Sequence, residues 1–511
     1  MNNLNFLVDV LKESPVFKTL EKNVKPGRTV CASGLSTINK SNIIYALCRL
    51  KGVTAFCLAS DEKEAQTLCN DLSCMGLRAY VYPVRDFNFL DFQSRSHEYE
   101  HARLKVLLKL LNHECDVAIA CVDAAAQLTV PRNVLEQSVI EFEEGKELSL
   151  EKATKALTLL GYERFDAVEG SGQFSLRGGI LDFFMPDSDY PVRCEFWGDE
   201  ITDLSYFDIE TQRRFKKADK ITLSPSTEIV IEDRAALADK IEHKAKLLRS
   251  KNSAKAKEKL FSEAELIRSG AMIANADKFI NQIYDKPESL FDYLDRNTLV
   301  FASEFTAIQE RGKSMDFISN ETLMQGFEDG TLCRGFDRFA LTFNECTEFL
   351  QSHGTIVLEN FVHGSMPIKL SEIISFSTKQ ISAWGGSYKQ LKEDVDGLFT
   401  PESKGVIFAG TERAAKNLCD TFNADGINAV YSEGADKISK GELLVMQGAL
   451  SAGFEYPSQK FFAITYSQVS YRPEKSKKRK KRRDRKFTAF PSLPPVIMLY
   501  TMFTVSVCSA V

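Results

Sequence analysis

The chain has 511 residues, of which 44% are apolar and 26% are charged, and its formal net charge at pH 7 is −5. This length is too great for a single hydrophobic core, and the composition excludes a disordered or fibrous chain. Ten basic residues and one acid lie in the run at residues 475–486, which contributes +9 and leaves −14 for the rest. An acidic body with one basic segment argues against a broad nucleic-acid-binding face.

Residues 1–142 begin with an amphipathic, mostly helical segment that contains charged residues and does not resemble a signal peptide. We therefore expect a cytoplasmic protein with free thiols, since the 12 cysteines include no C-x-x-C pair. The apolar runs RTVCASG, VTAFCLAS, RAYVYP and CDVAIACV are predicted to form buried parallel strands with helices between them. This succession predicts a doubly wound α/β sheet.

Residues 143–225 have a different pattern. The segments GQFSLRGGILDFF and PVRCEFWGDEITDLSYFD are aromatic-rich and punctuated by glycine, which favours a small antiparallel α+β insert. Residues 231–285 are predicted to be helical, and DRNTLVFASEF is predicted to be a strand that rejoins the first sheet. Residues 340–470 repeat the α/β pattern, with GTIVLEN, GVIFAGT, NAVYS and GELLVMQG as strands.

The predicted fold is therefore a multidomain α/β protein. Its parts are an α/β domain at residues 1–142 and 226–338, an inserted α+β domain at 143–225, a small α/β domain at 339–470, a basic linker at 471–490 and a tail at 491–511. These boundaries follow the changes of pattern along the chain.

The stretch SGLSTINKSN, residues 33–42, has nearly the spacing of a phosphate-binding loop. In the pattern G-x-x-x-x-G-K-[ST], Gly34, Lys40 and Ser41 fit, but Asn39 occupies the second glycine position. The N–H groups of such a loop must curl around phosphates, and an Asn side chain would crowd the anion. The sequence therefore predicts a degenerate loop.

A nucleotide site also needs a carboxylate at a second strand end to hold magnesium. The natural candidate strand, TLVFASEF, has Ala302 and Ser303 where the acid pair is expected, and Glu304 lies one residue further on. Two independent defects in one site predict that this chain binds no nucleotide cofactor here and has no catalytic residue at the loop.

Four ordered segments carry a resemblance to a known family: RDFNFLDFQSRSHEYEHARL (85–104), the segment 161–214 that begins GYERFDAVEGSGQFSLRGG, GVIFAGTERAAKNL and GALSAGFEYPSQKF. The chain resembles the bacterial transcription-repair coupling factors (Mfd), whose N-terminal third is similar to the excision-repair protein UvrB. The resemblance implies a UvrB-like module without a functional nucleotide site. It places ATP and magnesium in the motor domains of the full-length family, where RNA polymerase and DNA are further partners.

The resemblance also implies that the insert is a docking surface for UvrA. It places partner-facing arginines at Arg164, in GYERF, and Arg177, in SLRGG. Arginine is enriched at interface hot spots, and Gly178 would allow close approach to the strand backbone. Phe174 is either a further apolar contact or a core residue. For Arg164, a surface ion pair with an adjacent acid remains an alternative.

The segment HEYEH contains His97, Glu98 and His101 at the spacing of a zinc-protease helix. Because the whole segment matches the repair family, we expect a solvated helix face and no metal site.

The tail at 491–511 does not continue the family pattern. Residues 496–507 are compatible, codon by codon, with the family's next motif read one base out of frame, so we expect a frameshift and the absence of the motor and polymerase-binding domains. Three hypotheses follow: a UvrA-binding module, a nucleotide-driven DNA translocase of the UvrB type, or a non-functional truncated product. A membrane role is not expected, because the tail is too short and too rich in Thr and Ser to span a bilayer.

Overall fold

The computed structural model describes residues 4–85, 97–249, 253–270, 276–362, 366–382 and 388–466. The basic run at 475–486 and the tail at 491–511 lie outside these residues, so the linker and the frameshift stay predictions. Within the described ranges, no helix combines the length and the apolar character needed to cross a bilayer.

The described residues of the first region form four strands and seven helices. They are α1 (Asn5–Lys12), α2 (Pro15–Asn23), β1 (Val30–Ser33), α3 (Thr37–Lys51), β2 (Ala55–Ala59), α4 (Glu62–Cys74), β3 (Ala79–Tyr82), α5 (Glu98–Leu111), β4 (Val117–Cys121), α6 (Val122–Ala126) and α7 (Arg132–Gln137). All four strands coincide with predicted apolar runs, and β1, β2 and β4 are buried at every residue.

The insert follows. It consists of β5 (Ile140–Glu143), α8 (Leu150–Leu159), β6 (Glu163–Arg164), β7 (Gln173–Arg177), β8 (Ile180–Phe183), β9 (Val192–Trp197), β10 (Glu200–Phe207), β11 (Arg214–Lys217) and β12 (Lys220–Leu223). Six strands form the insert sheet in the order β11-β10-β9-β8-β7-β6, antiparallel except for the β6–β7 pair. The remaining two, β5 and β12, pair with each other and bring the ends of the insert together.

The next region is mainly helical and then returns to the first sheet. It contains α9 (Arg234–Leu247), α10 (Ser253–Ser269), α11 (Ile280–Ile283), β13 (Leu299–Ser303), α12 (Phe305–Asp329), α13 (Phe343–His353), β14 (Thr355–Leu358) and β15 (Glu372–Ser375). As predicted, β13 rejoins the first sheet, where it pairs with β2.

The first sheet has seven parallel strands in the order β15-β1-β14-β13-β2-β4-β3. The assignment of GTIVLEN to the second α/β domain is therefore wrong, because β14 lies between β1 and β13 in this sheet. A buried parallel strand has the same local pattern in any sheet, so its partners were not readable from the sequence. The division into separate domains stays a prediction.

The second sheet is built from the last described elements. These are β16 (Lys379–Ile381), α14 (Tyr388–Leu398), β17 (Lys404–Phe408), α15 (Glu412–Ala424), β18 (Ala429–Ser432), β19 (Glu442–Met446), β20 (Gly453–Tyr456) and β21 (Phe461–Thr465). Their order is β16-β20-β21-β17-β19-β18, with a parallel centre and two antiparallel pairs at the β16 edge.

One hydrophobic core joins the two α/β sheets. Helices α1 and α3 contribute Phe6 and Ile44, the first sheet contributes Ala32, and the second sheet contributes Phe408 and Phe461. The rings of Phe6 and Phe461 lie 6.3 Å apart, centroid to centroid. This shared core places α3, which carries the degenerate loop motif, between the two sheets.

Candidate functional site

The degenerate loop follows β1 at the carboxyl edge of the first sheet, where an α/β fold normally binds its ligand. Two of its N–H groups are already bonded to protein. Gly34 N donates to Asn360 O and Leu35 N donates to Glu359 O, both at 3.1 Å. A Cβ added at Gly34, where φ is +78°, would collide with the carbonyl oxygen of Phe376. The chain after β15 therefore covers the space that a phosphate group would need.

Helix α3 begins earlier than a phosphate-binding loop would allow. It starts at Thr37, and Lys40 N donates to Ser36 O at 3.0 Å within the first turn. Asn39, Lys40 and Ser41 therefore lie inside the helix and are at most 2% exposed. Ser36 Oγ donates to Asn39 Oδ1 at 2.6 Å, which fixes the Asn side chain at the helix start. The sequence predicted a degenerate loop followed by a helix from Lys40, and in the structure this helix begins three residues earlier, at Thr37.

The Lys40 ammonium group has an acceptor for each of its three protons. It donates to Glu304 Oε1 at 2.5 Å, Ser303 Oγ at 3.0 Å and Glu64 Oε1 at 3.5 Å. Glu64 is held in turn by the N–H and hydroxyl groups of Ser60, at 2.9 and 2.6 Å. Side chains from α4 and from the end of β13 therefore occupy the place where a lysine of this kind meets β- and γ-phosphates.

A second carboxyl group, that of Glu359 at the end of β14, lies beside Glu304. It is fully buried, and its Oε1 accepts a hydrogen bond from Phe305 N at 2.8 Å. Burial and the neighbouring Glu304 raise the pKa of Glu359 to about 7. For Glu304, burial opposes ionisation, but the Lys40 charge and hydrogen bond hold its pKa below the usual range. Glu304 is therefore the stronger acid of the pair, and Glu359 is the group that takes up a proton first.

In an intact phosphate-binding loop, the residue at the position of Ser41 would bind magnesium. Here Ser41 is linked through Asp71 to Ser451, in the segment before β20. Its hydroxyl donates to Asp71 at 3.3 Å, and Asp71 also accepts from Ser451 N and Ser451 Oγ, each at 2.7 Å. Burial raises the pKa of Asp71 to about 6, although these hydrogen bonds oppose the shift. Asn42 Nδ2 donates to Tyr456 Oη at 3.1 Å. Polar residues of the former loop motif therefore join two layers of the fold.

A nucleoside triphosphate does not fit these residues. The N–H groups of Gly34 and Leu35 have carbonyl acceptors, the Lys40 ammonium group is paired with Glu304 and Glu64, and the carboxyl group of Glu359 lies beside Glu304. An anion there would face like charge in a partly buried setting, where such repulsion is strongest. The prediction of a degenerate loop rests on the side chain of Asn39. The structure shows that the carboxyl groups near Lys40 are a larger obstacle to phosphate binding.

The prediction of a solvated helix face at HEYEH is wrong for two of its five residues. His97, Glu98 and Tyr99 are exposed, but Glu100 accepts from Thr227 Oγ1 and Glu228 N, each at 2.8 Å. His101 packs against Gly172, where an added Cβ would come within 2.7 Å of its ring. These contacts join α5 to the insert and to its exit segment. In the described part of the chain, no group of three or more His, Cys, Asp or Glu side chains is arranged to hold a metal ion.

The exit segment of the insert is held further by a buried ion pair. Arg103 Nε donates to Glu228 Oε1 at 2.6 Å, and both side chains are fully buried. Arg103 NH1 also donates to Gln127 Oε1 at 2.8 Å. A charge pair without solvent access is costly to break, because one partner would be left buried and unpaired. Helix α5 therefore fixes where the insert leaves the body of the protein.

On the insert, Arg177 lies at the end of β7 and its side chain is half exposed. Its guanidinium donates to Asp182 Oδ2 at 2.8 Å, and Arg193 donates to both oxygens of the same carboxylate at 2.7 and 2.9 Å. Asp182 is only 1% exposed. One carboxylate between two guanidinium groups leaves one net positive charge, and Asp182 holds Arg177 in a fixed position at the surface.

The structure brings Gly178 beside Arg177, but it does not bring Arg164 and Phe174 to the same surface. Arg164 is exposed on the edge strand β6, where its register partner is Phe174, whose side chain points into the insert core. Arg164 therefore belongs to the opposite face of the sheet from Arg177. Among the described residues it forms no ion pair with an adjacent acid. Phe174 is 3% exposed, which favours its alternative role as a core residue. Gly178 has φ of +62° in the turn between β7 and β8, with open space beside it.

Comparison with known proteins identifies the insert first. Residues 140–229 match the family model of the UvrB interaction domain. This span begins at β5 and ends just after β12, so the β5–β12 unit is a UvrB interaction domain, and its start lies a few residues before the predicted boundary at 143.

Most of the chain is similar in sequence to proteins named transcription-repair-coupling factor. It is 26% identical over 486 residues to the transcription-repair-coupling factor of Bacillus subtilis (strain 168), which covers 91% of this chain and 41% of the relative. The Staphylococcus epidermidis protein (strain ATCC 12228) is 25% identical over 418 residues, covering 78% of this chain and 34% of the relative. The Staphylococcus aureus protein (strain MRSA252) is 22% identical over 485 residues, covering 93% and 41%. The chain thus spans about two fifths or less of the length of these curated relatives.

Several functional residues were missed by sequence reasoning. Glu64, Glu359 and Asp71 have no motif around them, but Glu359 directly follows a buried strand in TIVLEN, and polar residues at the carboxyl ends of parallel strands meet at one sheet edge. The position of Glu359 predicts a residue of this site only if GTIVLEN is assigned to the first sheet.

Proposed function

We propose that this chain recruits UvrA through the outward face of its UvrB interaction domain, in the cytoplasm, as part of transcription-coupled nucleotide excision repair. The observation that carries the proposal is the position of Arg177. Asp182 holds its guanidinium in place while half of the side chain remains exposed. A preorganised arginine loses little conformational entropy on binding, and arginine is enriched among interface hot spots.

The match of residues 140–229 to the UvrB interaction domain supports this proposal, as do the homologues that are named for coupling transcription to repair. Arg177 is the principal contact that we assign to UvrA, and Gly178 beside it allows close approach of a partner backbone. Arg164 lies on the other face of the sheet, so we assign it a separate and weaker contribution.

The rival function is a nucleotide-driven DNA translocase of the UvrB type. It requires Lys40 to meet phosphates, but Lys40 is neutralised by Glu304 and Glu64. We propose that the described part of the chain neither binds nor hydrolyses ATP. RNA polymerase and DNA, which the resemblance implies for the full-length family, are not assigned to the described residues.

Isothermal titration of the purified chain with UvrA tests the recruitment. Arg177→Ala should weaken binding by about 2 kcal/mol or more. The matched control is Lys155→Ala, which removes a positive charge of an exposed side chain from α8 on the core-covering side of the insert. It should leave the dissociation constant unchanged. Equal affinities for Arg177→Ala and the unaltered chain would remove Arg177 from the interface, and no binding by the unaltered chain would refute the proposal and favour a non-functional product.

A second measurement addresses the rival function. DNA-stimulated ATP hydrolysis by the same preparation, abolished by Lys40→Ala while UvrA binding persists, would establish the translocase and refute the neutralised loop. We expect no hydrolysis above that of the Lys40→Ala variant.

A further inference from the structure

Trp197 is the most exposed large apolar side chain of the described residues, at 82%. It ends β9, whose residues alternate between the insert core and the opposite face: Val192, Cys194 and Phe196 are buried, and Trp197 follows on the opposite face. Among the described residues, its indole has no aromatic or cationic partner. An isolated, fully solvated indole is expensive to keep on a monomer's surface and is the side chain most enriched at binding hot spots.

The sheet register places Trp197 on the same face and at the same end of the insert sheet as Arg177, two strands away. Arg177 pairs with Ile180 across the β7–β8 turn, and Ile180 pairs with Glu195 of β9. Phe196 N donates to Gly179 O at 2.8 Å, so the backbone at Trp197 adjoins the Gly178–Gly179 turn. Register partners share a face of the sheet, so Arg177, Ile180 and Glu195 lie on one face. Trp197 is two residues after Glu195 on the same strand and therefore lies at the end of that outward face.

The turn between these side chains is made of two glycines. At Gly178 there is open space, and at Gly179 a Cβ would come within 2.7 Å of Phe196 O. The turn thus contributes backbone and no side chains beside the end of β9. An exposed indole and a fixed guanidinium at one end of the same face suit an aromatic anchor with a polar rim.

We propose that Trp197 is the apolar anchor of the UvrA-binding surface, seated in an apolar pocket of UvrA while Arg177 meets a carboxylate at the pocket's rim. The position supports this occupant: Trp197 lies within the match to the UvrB interaction domain, on the same outward face as Arg177, the residue that we assign to UvrA. This inference rests on the proposed function, since it names the residue that anchors the same interaction.

Calorimetric titration of UvrA into Trp197→Ala tests the anchor. Binding should weaken by about 30-fold or more, the loss typical of a hot spot. The matched control is Leu159→Ala, which removes a half-exposed apolar side chain from α8 on the other side of the insert. It should bind as the unaltered chain does. Because Trp197 is exposed, circular dichroism and thermal unfolding of Trp197→Ala should be unchanged.

Hydroxyl-radical footprinting with mass spectrometry gives a readout on the unaltered chain. Oxidation of Trp197 should fall at least several-fold when UvrA is bound, whereas oxidation of Leu159 should not change. Undiminished affinity of Trp197→Ala, or unprotected Trp197 in a complex that forms, would overturn the anchor and leave UvrA recruitment standing. Equal weakening by Leu159→Ala would also overturn it, by showing a general loss of apolar surface. Failure of the unaltered chain to bind UvrA would refute the recruitment itself.

Discussion

Replacing Lys40 by methionine tests whether the former loop lysine now serves the fold. Methionine keeps most of the apolar stem but removes the ammonium group that contacts Glu304, Ser303 and Glu64. Breaking a buried pair by removing one partner costs roughly 3–5 kcal/mol, because the other charge stays buried and unpaired. Glu304 is 27% exposed and Glu64 11%, so solvent relieves part of this loss and the lower end, about 3 kcal/mol, is expected.

Hydrogen exchange with mass spectrometry on peptides that cover α3 measures this loss locally, without assuming that the whole chain unfolds in one step. A loss of about 3 kcal/mol corresponds to roughly 100-fold faster exchange of the slowest α3 amides. The matched control is Lys51→Met on the same helix, whose ammonium group lies 4.0 Å from Glu21 at the surface. It should change stability by less than about 0.5 kcal/mol.

The double variant Lys40→Met with Glu304→Gln sharpens the test. Removing the carboxylate that Lys40 neutralises should recover at least about 1 kcal/mol relative to Lys40→Met alone, as expected for coupled neighbours. If Lys40→Met proves as stable as Lys51→Met, the ion pairs contribute nothing to the fold. In that case Lys40 would be free to bind an anion, and the reasoning would be refuted.

Two further substitutions probe the same region. Glu359→Gln keeps an acceptor for Phe305 N and mimics the protonated acid. The pKa of Glu359 is raised to about 7, so its protonation stabilises the fold fully below about pH 4.5 and this contribution is lost as pH rises through 7. Glu359→Gln should therefore unfold at higher urea concentration than the unaltered chain at pH 8, by on the order of 1–3 kcal/mol, and alike at pH 5. Gly34→Ala should destabilise by at least about 2 kcal/mol in the same assay, since its Cβ would collide with Phe376 O at a positive φ.

For each of these two substitutions, one specific result would contradict the prediction. A stability difference for Glu359→Gln that is the same at pH 5 and pH 8 would show that Glu359 does not titrate in this range. For Gly34→Ala, the control is Gly52→Ala at the end of α3, where φ is +63° but no atom lies within 4 Å. Equal losses at both glycines would attribute the effect to backbone strain alone and would mean that the segment after β15 does not cover the loop.

The local pattern of the sequence predicted the elements that are buried on both sides. β1, β2 and β4 follow continuous apolar runs, and such runs are typical of strands inside a parallel sheet. Which sheet a strand joins depends on long-range pairing, and for this reason β14 was assigned to the wrong one. Its partners β1 and β13 are separated from it by about 325 and 55 residues, respectively.

The candidate sites were predictable to a similar degree. The spacing of Gly34, Asn39 and Lys40 predicted a degenerate loop, and the structure adds the acceptors that neutralise the lysine. Those acceptors come from two elements, α4 and the end of β13, so no local spacing relates them. Glu100 shows the same limit: its helix reads as charged and solvated, yet it bonds to Glu228 N at a point 128 residues away. Buried polar contacts between segments that are distant in the chain produce no periodic pattern in the sequence from which they could be predicted.

The covered loop has a consequence for how this lineage can change. Asn39→Gly alone would restore the sequence motif G-x-x-x-x-G-K-[ST]. The Phe376 carbonyl would still lie over Gly34, and the ion pair of Lys40 and Glu304 would still be formed. Replacing Lys40 or Glu304 alone would break this pair before any ligand could compensate for it. A nucleotide site could therefore be built at this loop only through variants that are less stable than the present chain.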